Sequence, residues 1–110
     1  MGKGKPDHLH GALDLLILRS LSVSSMHGWG ISKHIQQISE GFLAVNQGSL
    51  YPALYRLEDR GWIRAEWGLA PTGRRAKIYH LTRKGARQLA QEESEWAAFS
   101  LAVNRVLGTA

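Results

Sequence analysis

A mostly α, α+β fold is predicted by three features of this sequence. Apolar residues recur at helical spacing in three early stretches: Leu9, Leu13, Leu16, Ile17 and Leu21; then Ile31, Ile35 and Ile38; then Leu50, Leu54 and Leu57. The third stretch runs through Gly61 into two strand-like segments, residues 62–68 and 76–81, joined by a turn rich in Gly and Arg. A last helical stretch, from Thr82 to Val106 or Leu107, closes the chain. Three helices, a two-stranded wing and a long C-terminal helix make the layout of a winged helix-turn-helix.

The first helix is expected over residues 9–22, with Asp14 and Arg19 outside its apolar stripe. Residues 22–28 read as a turn. The second helix, residues 28–39, directs Ile31, Ile35 and Ile38 inward and Lys33, His34, Gln36 and Gln37 outward, with Gly41 as its stop. Gly28 and Gly30 weaken helix propensity near its start, which points to close backbone packing or a special turn there. Asn46 is a good N-cap for the third helix. Pro52 complicates that start: a proline deep inside a helix costs roughly 3 kcal/mol, so local physics alone begins the regular helix nearer Leu50. Residues 62–68 place Ile63, Ala65 and Trp67 on one face and Arg64 and Glu66 on the other. Pro71 and Gly73 form the wing tip, and Tyr79 and Leu81 point inward from the returning strand. Thr82 caps the last helix, whose ~25 residues would span roughly 35–40 Å, more than so small a core can cover.

A chain of 110 residues with 44% apolar content supports one domain with a modest core. Its expected organisation is a flexible leader (1–8), a winged helix-turn-helix domain (9–82) and a C-terminal dimerisation helix (83–110). No apolar run approaches the ~20 residues of a membrane span, and the polar leader does not read as a signal peptide. The chain has no cysteine, hence no disulfide, thiol nucleophile or Cys-based metal site. A cytoplasmic location fits, with no membrane partner.

The formal net charge is +5, and its distribution says more than its total. Residues 56–87 hold nine basic against three acidic side chains, whereas from Gln88 onward Glu92, Glu93 and Glu95 oppose Arg105 alone. Positive charge therefore gathers on the third helix and the wing, the elements such a fold turns toward DNA. Tyr55 and Arg56 lie opposite the Leu50–Leu54–Leu57 stripe, Gln47 and Ser49 stand at the leading end, and Tyr51 is divided evenly between packing and exposure. Hydroxyls, an amide and a guanidinium on one helix face suit the base edges and phosphates of double-stranded DNA. Arg74, Arg75 and Lys77 suit phosphate, since a mobile wing holds point charges better than bidentate geometry.

On the last helix Leu89, Trp96 and Val103 recur every seven residues, with Phe99 and Val106 or Leu107 on the same side, though Glu92 and Glu93 occupy one expected apolar turn. A monomer would leave Trp96, Phe99 and Val103 as an apolar patch of the kind that marks association, so a homodimer is expected. Trp96 reads first as an interface anchor. Two such tryptophans across a two-fold axis would also stack a flat hydrophobic ligand. The five histidines are scattered, with no HExxH pattern, and make a poor metal site. No Ser/His/Asp grouping, phosphate-binding glycine loop or acid pair is expected, so neither cofactor nor catalysis is. The alternative from another class is a winged-helix protein–protein adaptor, which Arg56 and the basic wing argue against.

Several motifs in register resemble one family. His27-Gly28-Trp29-Gly30-Ile31, Gly48-Ser-Leu-Tyr-Pro-Ala-Leu54, Arg56-Leu57, Gly61-Trp62-Ile63, Glu66-Trp67-Gly68, Gly73-Arg-Arg-Ala-Lys77 and Tyr79-His-Leu-Thr82 are similar to the PadR-like transcriptional regulators. The resemblance runs from about residue 11 to 107. It implies a third helix that starts earlier, near Gln47, and Arg74 and Arg75 as the recurrent wing arginines. It also implies dimerisation through the last helix and repression of transcription. Some members sense small aromatic compounds, which supports an aromatic effector at Trp96.

Overall fold

Four helices and a small sheet follow one another as α1 (His8–Val23), β1 (Met26–His27), α2 (Gly28–Ile38), α3 (Gln47–Asp59), β2 (Ile63–Leu69), β3 (Arg75–Leu81) and α4 (Arg83–Leu107). The computed structural model describes residues 8–109, with side chains from Ala12 onward. The expected leader, save His8 in the first turn of α1, and the Leu9 side chain lie outside the described residues. The core forms where Leu13, Ile17, Leu18 and Leu21 of α1 meet Ile31 and Ile35 of α2 and Leu50, Ala53, Leu54 and Leu57 of α3. Ile63, Tyr79 and Leu89 complete it from the strands and α4.

Helix α3 takes the earlier start. The Asn46 side chain accepts a hydrogen bond from Ser49 N at 2.9 Å, capping a helix whose first residue is Gln47. Pro52 is therefore inside the helix. It leaves the Gly48 carbonyl without its usual partner, but both residues are on the exposed side, where that carbonyl is open to solvent. Local physics placed the start too late because it did not weigh that exposure.

The sheet has three strands in the order β1-β3-β2, all antiparallel. Met26 and His27, read from sequence as part of a turn, pair with Tyr79 and Ile78 and add a strand to the two-stranded wing. At the wing tip Gly73 N donates to Ala70 O at 2.8 Å, with Pro71 next in the turn and Gly73 left-handed at φ 88°.

Two expectations, on Ile38 and Leu89, are corrected, and one, the shared face of Trp67, holds. Ile38 is 72% exposed rather than inward. It is the last residue of α2, and the chain swings away through left-handed Glu40 and Gly41, so nothing covers it. Trp67 shares the face of Ile63 and Ala65 but lies beyond the end of the core, exposed beneath the Arg75 guanidinium. Leu89, expected at a dimer interface, is 6% exposed and spent in the core of its own chain. Beyond it, Trp96, Phe99, Val103 and Leu107 are all exposed on α4.

The first turn of α4 is fixed to the α3–β2 junction. Thr82 Oγ1 donates to Gly61 O at 2.7 Å and accepts from Gly85 N at 3.0 Å, while Thr82 N donates to Trp62 O at 3.1 Å. Gly85 is buried against the Trp62 carbonyl, which a Cβ would overlap. Gly85→Ala should therefore destabilise the fold by more than about 2 kcal/mol, the range of overpacking against an immobile backbone, read as a lowered urea midpoint. Ala86→Gly, on the exposed neighbouring position, should cost no more than about 1 kcal/mol.

Candidate nucleic-acid interface

Burial of the Leu50–Leu57 side of α3 turns its opposite side outward. Tyr51, Tyr55 and Glu58 stand there at i, i+4 and i+7, one stripe facing the wing. Trp67, Lys77 and Tyr79 project toward it from a single face of the hairpin, because Trp67 pairs with Lys77 and Ala65 with Tyr79. The start of α2 closes the third side. These residues line a groove of about 480 Å³.

The α2 start explains the first of its two glycines. His27 Nδ1 accepts from Gly30 N at 3.0 Å and caps the helix. A Cβ on Gly28 would lie 2.8 Å from the Tyr51 hydroxyl, so glycine is what lets the Tyr51 ring settle against the backbone. Trp29 stacks on the His27 ring with 6.0 Å between centroids, and Lys33 Nζ sits 4.8 Å from the Trp29 centroid.

The residues expected on DNA are distributed as follows. Gln47 and Ser49 occupy the leading turn of α3, and Tyr51 and Tyr55 share the groove with Lys77. Arg74 stands at the wing tip, and Arg75 lies 5.1 Å over the Trp67 ring. Among the described residues Arg74 and Lys77 form no ion pair. Arg56 is not brought into the groove: its Nη2 donates to Asp14 Oδ1 of α1 at 2.8 Å.

His27, Trp29, Glu58, Trp67 and Tyr79 also line the groove and were not singled out from sequence as site residues. Glu58 was within reach, since it continues the Tyr51–Tyr55 spacing by one more turn. The others depend on contacts between α2, α3 and the hairpin. A second grouping was not expected at all. Ser25 Oγ lies 2.7 Å from His80 Nδ1, and His80 Nε2 lies 2.9 Å from Glu66 Oε2. His80 and Glu66 alternate with Tyr79 and Ala65, so this trio is on the sheet face opposite the groove. It ties the entry to β1 across β3 to β2. Among the described residues no three metal-ligating side chains cluster, and no helix is long and apolar enough to cross a membrane.

The groove floor has one perturbed group. Burial raises the Tyr79 phenol above its ordinary value of 10.0, and the negative charge of Glu58, then Tyr51 and Tyr55 as they ionise, raises it further. The folded chain thus keeps this proton after the unfolded chain releases it. Stability present below about pH 10 is lost as pH rises through the raised value. Urea unfolding from about pH 9 to 11 should show a steeper loss for the wild type than for Tyr79→Phe, in which this contribution is absent. Identical slopes would show that Tyr79 ionises freely.

The chain matches the model of the transcriptional regulator PadR-like family over residues 17–91. It is 29% identical to a transcriptional regulator from Clostridium thermocellum, covering 91% of this chain and 97% of that one, with a TM-score of 0.82. Similarity to a PadR-like transcriptional regulator from Bacillus cereus is 30% identity over 93% of this chain and 97% of that one, with a TM-score of 0.79. An uncharacterised protein of Lysinibacillus sphaericus is 30% identical over 93 residues, 84% of this chain and 85% of its own length. A family match across most of the chain, on a fold shared almost end to end, leads to one conclusion: the chain is a transcriptional regulator belonging to the PadR-like family.

Proposed function

We propose that this chain is a sequence-specific DNA-binding repressor that works in the cytoplasm as a homodimer on an inverted-repeat operator. The observation that carries this reading is the placement of the polar α3 face beside a basic wing, with Lys77 lining the groove, Arg74 at the wing tip, and neither in an ion pair among the described residues. In this reading α3 enters the major groove, led by Gln47 and Ser49, with Tyr51, Tyr55 and Arg56 behind them. Arg74, Arg75 and Lys77 hold the phosphates. Repression is the family's mode carried over to this chain.

The dimer is proposed from α4. Trp96, Phe99, Val103 and Leu107 follow a heptad-like spacing on a part of the helix with no core of its own chain to cover it. Trp96 and Phe99 are 5.9 Å apart between ring centroids at 40°. Paired across a two-fold axis, these rings form either a plain anchor or, where the helices part, a slot for a small planar aromatic effector.

Purified protein should shift a duplex carrying its inverted repeat, with half-site centres about 34–36 Å apart or a multiple of that. Arg74→Ala and Lys77→Ala should weaken operator and random DNA alike and lower the salt slope by about one unit per lost phosphate contact in each subunit. Salt-independent binding would argue for a protein-binding adaptor instead.

Ending the chain after Glu93 keeps Leu89 in the core but removes the apolar α4 face. That variant should sediment as a monomer, and Trp96→Ala should weaken the dimer by on the order of 2 kcal/mol. A shortened chain that stays dimeric would remove α4 from the interface. Planar aromatic compounds should quench tryptophan fluorescence in the wild type and less in Trp96→Phe; equal quenching would place them elsewhere.

A further inference from the structure

We infer that Asp14 is a specificity-determining positioning residue: it holds Arg56 in the orientation from which that arginine reads a base pair. Part of the operator preference is then set from α1, which need not touch DNA. The inference rests on the DNA-reading role proposed for Arg56.

The two members of the pair are unequally placed. The Asp14 side chain is 18% exposed, while that of Arg56 is 43% exposed. The carboxylate is thus part of the scaffold and the guanidinium is the open end. Asp14 is held in place by its neighbours in sequence, since Leu13 and Ile17 on the same helix are completely buried. By contrast, Arg64 and Glu66 are both more than half exposed, at 3.5 Å, and behave as an ordinary surface pair.

The hydrogen-bond arithmetic leaves Arg56 competent. A guanidinium carries five N–H donors, and the bond from Nη2 to Asp14 Oδ1 uses one of them. Among the described residues the second Nη2 hydrogen and both Nη1 hydrogens have no other partner, and such a pair of donors is what guanine O6 and N7 require. A free arginine must give up rotamer freedom to make that contact. One already fixed through a charge-assisted bond has given up part of it beforehand. Asp14 therefore sharpens the reading of one base pair without adding a contact to DNA.

The test compares Asp14→Asn, Asp14→Glu, Arg56→Ala and the double variant Asp14→Asn/Arg56→Ala by fluorescence anisotropy. The DNAs are the operator, its single-base-pair variants and a random duplex. Asp14→Asn should reduce preference at the base pair that Arg56→Ala also affects, by roughly three- to tenfold. Random-duplex affinity and salt slope should hold, and the double variant should lose no more than Arg56→Ala alone. Asp14→Glu, which keeps the charge, should fall between wild type and Asp14→Asn at that base pair, and carries the test if the Asn variant does not fold. A uniform change for every duplex, or an additive double variant, would overturn the positioning role. An Arg56→Ala loss with an unchanged Asp14→Asn would overturn it alone. If Arg56→Ala itself leaves preference intact, the DNA-reading role falls and the positioning role with it.

Discussion

The rest of this structure depends on the burial of one side of α3. Leu50, Leu54 and Leu57 are essentially inaccessible, pressed against α1 and α2. Each fully buried leucine contributes about 1.5–3 kcal/mol, so the three together rival the net stability of about 5–15 kcal/mol expected of a domain. No rotation of α3 about its axis keeps that contribution. With the rotation fixed, the direction of Tyr51, Tyr55 and Glu58 is fixed as well, although none of these needs to contribute to the core. The face proposed to meet DNA is thus a by-product of packing on the other side of the helix.

The groove beside that face is chemically mixed. Glu58 and three phenols occupy its floor and walls, whereas Lys77, Arg74 and Arg75 stand toward the wing. An acidic floor repels a polyanion and a basic rim attracts it. Under the proposed DNA-binding role, a duplex would rest toward the basic side rather than on the acidic floor. The two tryptophans of the groove meet the chain's own cations, Lys33 on Trp29 and Arg75 on Trp67. Those contacts steady two long cationic side chains.

Helical and strand periodicity made most of the fold legible, because burial in a small domain falls on residues spaced 3.6 or 2 apart. The stripes of α1 and α3 and the alternation of β2 are of this kind. Ile38 shows where the rule stops: it continues the spacing of Ile31 and Ile35, yet the helix ends there and nothing lies over it. Leu89 shows the converse, since heptad spacing cannot say whether an apolar residue meets its own chain or another. Residues joined through tertiary contact were invisible in sequence. Asp14 and Arg56 are separated by 42 positions and Ser25 and His80 by 55, and no local pattern links either pair. The start of α3 was open because the cost of Pro52 depends on whether the orphaned carbonyl meets water, which only the folded helix decides.

The close seat of Gly85 on the Trp62 carbonyl has a mechanical meaning. The first turn of α4 is joined without slack to the segment linking the end of α3 to the start of β2. The α4 helix (25 residues) stays against its own domain as far as Leu89 and the Arg19–Glu93 pair, so the arm beyond Glu93 is roughly 21 Å long. Moving its free end by roughly 4 Å is a tilt of only about 10° on that length. In the proposed dimer, a movement of the far end of α4 would pass through this joint to α3 and the hairpin. Substituting a larger residue for this glycine would introduce play into that bearing.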